Sequence, residues 1–130
     1  MMRKLSTFFS AVVLGLTVFS SQGCVLLAGA AVGAGGYAYA TGYLAKNLDA
    51  HHEDVHAAAM DGLKDIGAFV VTDSIGALES KIHAESDDGR TIKINIEALT
   101  EQASQIKIRV GTFGNEAESL RILNATTNRL

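Results

Sequence analysis

The chain of 130 residues has one cysteine and neither proline nor tryptophan. A single cysteine cannot form a disulfide within the chain, so the question is what else this thiol does. Basic residues are also scarce, with 11 Lys and Arg against 14 Asp and Glu and a net charge of -3. This balance argues against nucleic acid and anionic lipid head groups as partners. The length allows one small domain.

No apolar stretch at the N-terminus is long enough to cross a bilayer comfortably, which takes about 20 apolar residues. Arg3 and Lys4 instead precede a short apolar run over residues 5–19, and residues 20–23 are small or polar. This layout is typical of a secretory signal peptide, which we predict over residues 1–23. An uncleaved anchor is the alternative.

The sequence Ser21-Gln22-Gly23-Cys24 follows directly. It resembles the lipobox of bacterial lipoproteins, whose cysteine sulfur takes a diacylglyceryl group before signal peptidase cuts in front of it. Gly23 and Cys24 match that pattern, whereas the family usually has Leu at the position of Ser21 and a small residue at that of Gln22. The resemblance implies that Cys24 is a lipid attachment site.

Two other interpretations of Cys24 stay open. The first is ordinary secretory cleavage after Gly23 or after Ala30, because both places have the small-x-small pattern. The second is that Cys24 is a buried structural cysteine. The residue after the cysteine is Val25 rather than Asp. If the lipoprotein resemblance holds, this implies sorting to the outer membrane. The predicted location is therefore the periplasmic face of the outer membrane.

Residues 24–43 are rich in glycine and alanine and carry no charge. We interpret them as a neck between the lipid anchor and a globular domain over residues 44–130, because glycine weakens a helix by about 1 kcal/mol per residue. Gly29 and Gly33 have the small-xxx-small spacing that lets helices approach closely in membranes. A membrane oligomer built on these glycines is the alternative.

The pattern after the neck predicts an α+β fold in two layers. Apolar residues at helical spacing predict a helix that Asp49 caps, that runs to about Asp65 and that Gly67 ends. A second helix is expected from about Glu116, capped by Asn115. Apolar and polar residues alternate before the first helix and between the two helices. This pattern predicts a mostly antiparallel sheet of four to five strands with the two helices on one face. The expected strands are Tyr43–Leu48, Phe69–Thr72, Leu78–Ala84, Ile92–Ile96 and Ile106–Val110.

The sequence His52-Glu53-Asp54-Val55-His56 matches H-E-x-x-H, in which two imidazoles hold zinc and the glutamate activates water. A zinc-dependent hydrolase is therefore an alternative function. Against it, a third ligand is missing, since His83 is predicted to point outward from a strand. We interpret the motif as a solvated helix start and assign no catalytic residue, metal site or cofactor. Metal binding at His51, His52 and His56 stays open.

Four features together resemble a family of short Gram-negative lipoproteins classed as a domain of unknown function. They are Gly23-Cys24, the neck ending at Gly35–Tyr39, the helix opening at Asp49-Ala50, and the stretch Arg109–Glu116. The resemblance spans about residues 20 to 130 and implies an α+β lipoprotein with no assigned activity. The expected function is a non-enzymatic structural or interaction role in the envelope. Its partners would be the membrane, through the lipid anchor, and an unidentified envelope protein.

Overall fold

The structure is a computed structural model that describes residues 36–130. The predicted signal peptide, the lipid attachment site Cys24, and the glycine pair Gly29 and Gly33 lie outside the described residues. Their assignments stay predictions.

The described residues form two helices and one antiparallel sheet of six strands. The α+β class predicted from the sequence is confirmed. The strands are β1 Ala38–Ala40, β2 Tyr43–Leu48, β3 Phe69–Ile75, β4 Glu79–Glu85, β5 Thr91–Thr100 and β6 Ala103–Val110, and the helices are α1 His52–Asp65 and α2 Glu116–Thr127.

The strand order across the sheet is β1-β2-β6-β5-β4-β3, with every neighbouring pair antiparallel. The predicted count of four to five strands was therefore too low. The additional strand is β1, whose residues Ala38–Ala40 pair with β2 and fall at the end of the stretch expected to act as a neck. Three residues of Ala-Tyr-Ala carry no apolar and polar alternation, so no strand pattern was visible there.

One face of the sheet is buried against the two helices. Ile94 of β5 pairs with Ile108 of β6 at the centre of the sheet, and both side chains are fully buried. The helices also touch each other closely at Gly62, where an added Cβ would lie 2.9 Å from the backbone carbon of Ala125. The opposite face of the sheet carries polar and charged side chains, so the fold has two layers, as predicted.

The ends of the helices show which caps were predicted correctly. Helix α1 begins at His52 with His51 as its N-cap, so the predicted Asp49 cap is wrong. Tertiary hydrogen bonds fix the chain just before the helix, because the Ala50 carbonyl accepts from Ser104 Oγ and the His51 ring contacts the Glu101 carbonyl. The backbone of His51 is extended there. Gly67 ends α1 with a positive φ of 77°, as predicted.

Helix α2 begins where the sequence places it. The Asn115 side chain accepts a hydrogen bond from the Glu118 backbone N–H at 3.1 Å, which confirms the predicted cap. Within residues 36–130, neither helix is long and apolar enough to cross a membrane.

Candidate functional site

The two histidines of the H-E-x-x-H match lie on the buried face of α1. His52 is 1% exposed and His56 is 3% exposed, so the predicted solvated helix start is wrong for both side chains. The cause is strand β3, which continues to Ile75 and packs against the first turns of α1. The sequence pattern had ended this strand at Thr72.

Each of these rings is held by a group on or next to β3. His52 Nε2–H donates to the Gly76 carbonyl at 3.0 Å, and His56 Nε2–H donates to Asp73 Oδ2 at 3.1 Å. The sequence analysis missed Asp73. The buried group of this pair is His56, whose ring needs a hydrogen-bond partner, and the more exposed Asp73 supplies it.

This arrangement does not support zinc chemistry by the H-E-x-x-H pattern. Such a site needs a free nitrogen from each histidine directed at one ion. Each ring keeps an unpartnered Nδ1, but the ligand atoms that lie close together among residues 36–130 include none from His56. His83 is exposed on β4, as predicted.

The structure instead brings together His51, His52 and Glu53. One ligand atom from each of these residues lies within 4.8 Å of the others. The two imidazole rings are 4.5 Å apart between centroids and tilted by 59°. His51 and Glu53 reach solvent, whereas His52 lies beneath them. We call this set the His51–Glu53 cluster.

Strand β3 forms one edge of the sheet, and within residues 36–130 no strand pairs with its outer side. Its seven residues leave a row of unpaired backbone groups on that side. Apolar side chains are exposed along it and in the loop that follows: Phe69 is 71% exposed, Val71 64% and Leu78 72%. We call β3 with these side chains the β3 edge.

Devices that commonly protect an edge strand are scarce here. β3 contains neither lysine nor proline, and its single charged residue, Asp73, is already bonded to His56. The one such device that acts here is a bulge at Val71, which shifts the register against β4. The β3 edge is therefore the described strand best suited to accept a further strand.

The stretch Arg109–Glu116 packs against the turn between β1 and β2. Gly114 approaches Gly42 so closely that an added Cβ would lie 2.4 Å from the Gly42 carbonyl oxygen. Tyr37 Oη–H donates to Glu116 Oε1 at 3.1 Å, and this hydrogen bond raises the pKa of Tyr37 above its ordinary value. The stretch thus joins the last strand and α2 to the start of the described chain.

A depression of about 390 Å³ lies beside β1 and β2. Its lining is mostly small and apolar, and its one charged side chain, Lys107, is paired with Glu97 at 3.3 Å. Acid and base catalysis needs convergent titratable groups, and this depression does not supply them.

Comparison with models of known protein families shows to which family the chain belongs. A family model described as "Protein of unknown function (DUF3568)" matches residues 7–129. The chain belongs to the DUF3568 family. The match extends over the whole sheet, both helices and Cys24, and the family's description assigns no activity. A search of the curated proteins finds no match to this DUF3568 chain.

Proposed function

We propose that this protein is a lipid-anchored, periplasmic protein of the outer membrane that acts without catalysis, by holding another envelope protein at the β3 edge. The observation that carries the proposal is the unpaired outer side of β3 with its exposed apolar side chains. The occupant we propose is an extended, uncharged segment of the partner that adds to β3 as a seventh strand.

The side chains of the β3 edge favour such a partner. Phe69 pairs with Glu85 on the polar face, whereas Ile75 pairs with Ser80 on the helix face, so apolar groups flank both sides of the edge. An added strand would gain main-chain hydrogen bonds from β3 and apolar contacts from these side chains. A charged segment would lose water of hydration there without gaining an ion pair.

The position of the β3 edge also suits a tethered binding protein. The chain enters the described domain at β1, at the opposite edge of the sheet. Six strands at about 4.8 Å spacing place β3 roughly 24 Å from β1. A partner on β3 would therefore bind far from the point at which the predicted neck joins the domain.

The membrane attachment in this proposal depends on Cys24. Acyl chains contribute about 0.8 kcal/mol per buried CH₂, so several chains would hold the protein on the membrane almost permanently. The intact mass of the mature protein tests this part. We expect a diacylglyceryl-modified N-terminus at Cys24, and an unmodified N-terminus at Ala31 would refute the anchor.

The binding role is tested by photocrosslinking in cells from a photoreactive residue at position 69. The matched control carries the same residue at position 91, because Thr91 is exposed on the polar face of central strand β5. We expect a product with another envelope protein from position 69 alone. Val71→Lys should abolish that product and Thr91→Lys should leave it unchanged, since a charge at Val71 opposes an apolar strand.

Two results would overturn the proposed role. Equal products from positions 69 and 91 would show non-specific contact. A product of twice the mass of the chain alone would show that a second copy, and no separate partner, occupies the β3 edge.

A further inference from the structure

The His51–Glu53 cluster combines potential metal ligands with backbone carbonyls that hold its two imidazole rings. His51 Nδ1–H donates to the Glu101 carbonyl at 2.9 Å, and His52 Nε2–H donates to the Gly76 carbonyl at 3.0 Å. A carbonyl oxygen only accepts, so each hydrogen bond fixes which nitrogen carries the proton. The other nitrogen of each neutral ring, His51 Nε2 and His52 Nδ1, then holds a lone pair.

Metal-binding histidines are usually held in this way. The nitrogen away from the metal donates to a backbone carbonyl or a carboxylate, which fixes the tautomer and the orientation of the ring. Here two sequence neighbours are fixed by carbonyls from two different loops, the one after β3 and the one between β5 and β6. The two imidazole rings of the cluster are thus oriented before any ion binds.

The buried nitrogen is the second observation. His52 is 1% exposed, and its buried Nδ1 has no hydrogen-bond partner among the described residues. His56 Nδ1 also lacks a partner, but only His52 belongs to the cluster. Leaving a buried acceptor without a partner is costly, and most such atoms are paired. A cation bound at this lone pair would satisfy it.

We propose that the His51–Glu53 cluster binds one zinc-like divalent ion through His51 Nε2, His52 Nδ1 and the Glu53 carboxylate. Two imidazoles and one carboxylate suit Zn²⁺, which commonly takes three protein ligands and one water. Glu53 and Asp54 bring negative charge to the first turn of α1, where the helix dipole alone would repel a cation. His56 is outside the site, because none of its ring nitrogens belongs to the group of ligand atoms that lie within 4.8 Å of one another.

The test is calorimetric titration of the purified full chain with Zn²⁺ alone. We expect one ion per chain. His51→Ala and Glu53→Gln should each lower the affinity more than about tenfold, since loss of even a supporting partner costs 10- to 100-fold. Both side chains reach solvent, so these variants are expected to fold, and circular dichroism checks that they do.

Three variants serve as controls. His83→Ala removes an exposed histidine on β4, and Asp54→Asn removes a neighbouring acidic charge; both should retain tight binding. His56→Gln separates the proposed site from the H-E-x-x-H pattern and should also retain binding. Wild-type protein that binds no Zn²⁺, or binding that survives both His51→Ala and Glu53→Gln, would overturn the proposal. Loss of binding in a folded His56→Gln protein would overturn it in favour of the H-E-x-x-H pair.

Discussion

The contact between Gly114 and Gly42 makes a strong prediction about stability. An added Cβ at Gly114 would lie 2.4 Å from the Gly42 oxygen, 2.5 Å from the Gly42 Cα and 2.7 Å from Tyr39 Oη. The first two atoms are backbone, which cannot rotate away as a side chain does. Gly114 also has a φ of 83°, in the left-handed region that favours glycine. Gly114→Ala should therefore destabilise the domain for two separate reasons.

The two reasons can be weighed separately. A left-handed conformation costs a non-glycine residue about 1–2 kcal/mol. Inserting a methyl group into a filled space costs about 1–3 kcal/mol more. Alanine recovers about 0.4–1 kcal/mol by restricting the unfolded chain. The sum predicts that Gly114→Ala lowers the free energy of unfolding by about 3 kcal/mol, a large part of the stability of a small domain.

Gly111→Ala is the matched control. Gly111 has a φ of 75°, but a Cβ there meets nothing within 4 Å, so only the backbone strain applies. We expect a loss of about 1 kcal/mol from the same strain and unfolded-state terms. Urea unfolding of the full chain, followed by circular dichroism, measures both variants. If Gly114→Ala is no less stable than Gly111→Ala, the close approach of the two loops is wrong.

Three further predictions concern the fold. Asn115→Ala should lower the free energy of unfolding by about 1 kcal/mol through loss of the α2 cap, and Asn115→Asp should keep most of it; equal losses would contradict the cap. Ile94→Ala should cost about 2–5 kcal/mol in urea unfolding because the side chain is fully buried, whereas Ile94→Val should cost about 1; a small loss with Ala would contradict its burial. The hydrogen bonds from Arg129 lower the pKa of Asp65 below its ordinary 3.8, so this pair stabilises the folded state above that pH and its contribution is lost as pH falls through the lower folded-state value. The difference in melting temperature between wild type and Asp65→Asn should therefore be small near neutral pH, because Asp65 and Arg129 are both exposed. It should vanish in strong acid. A difference that does not change with pH would refute this prediction.

Local patterns in the sequence were sufficient for most of the described fold. Isoleucines at every second position of β5 and β6 identified the central strands and their buried face, and this face is the one that packs on the helices. Gly67 and Asn115 act within a few residues of their own positions, so their roles were also predictable. Asp49 was misplaced as a cap because the start of α1 depends on distant bonds from Ser104 and to Glu101.

The surroundings of the motif histidines were not predictable from strict alternation, and the bulge in β3 explains why. Counting every second residue from Val70 places Thr72 and Ser74 on the helix side and Asp73 in solvent. Val71 is an extra residue between Val70 and Thr72, so the pairing shifts and Asp73 lies opposite buried Ile82. One inserted residue thus exchanges the two faces of the rest of the strand. It turns Asp73 toward His56 and lets Ile75 face the helix layer. The sequence still holds one sign of this bulge, which is the spacing of five residues between the apolar Val70 and Ile75. In a regular strand, residues five apart lie on opposite faces, so both can face the helices only if the strand contains a bulge.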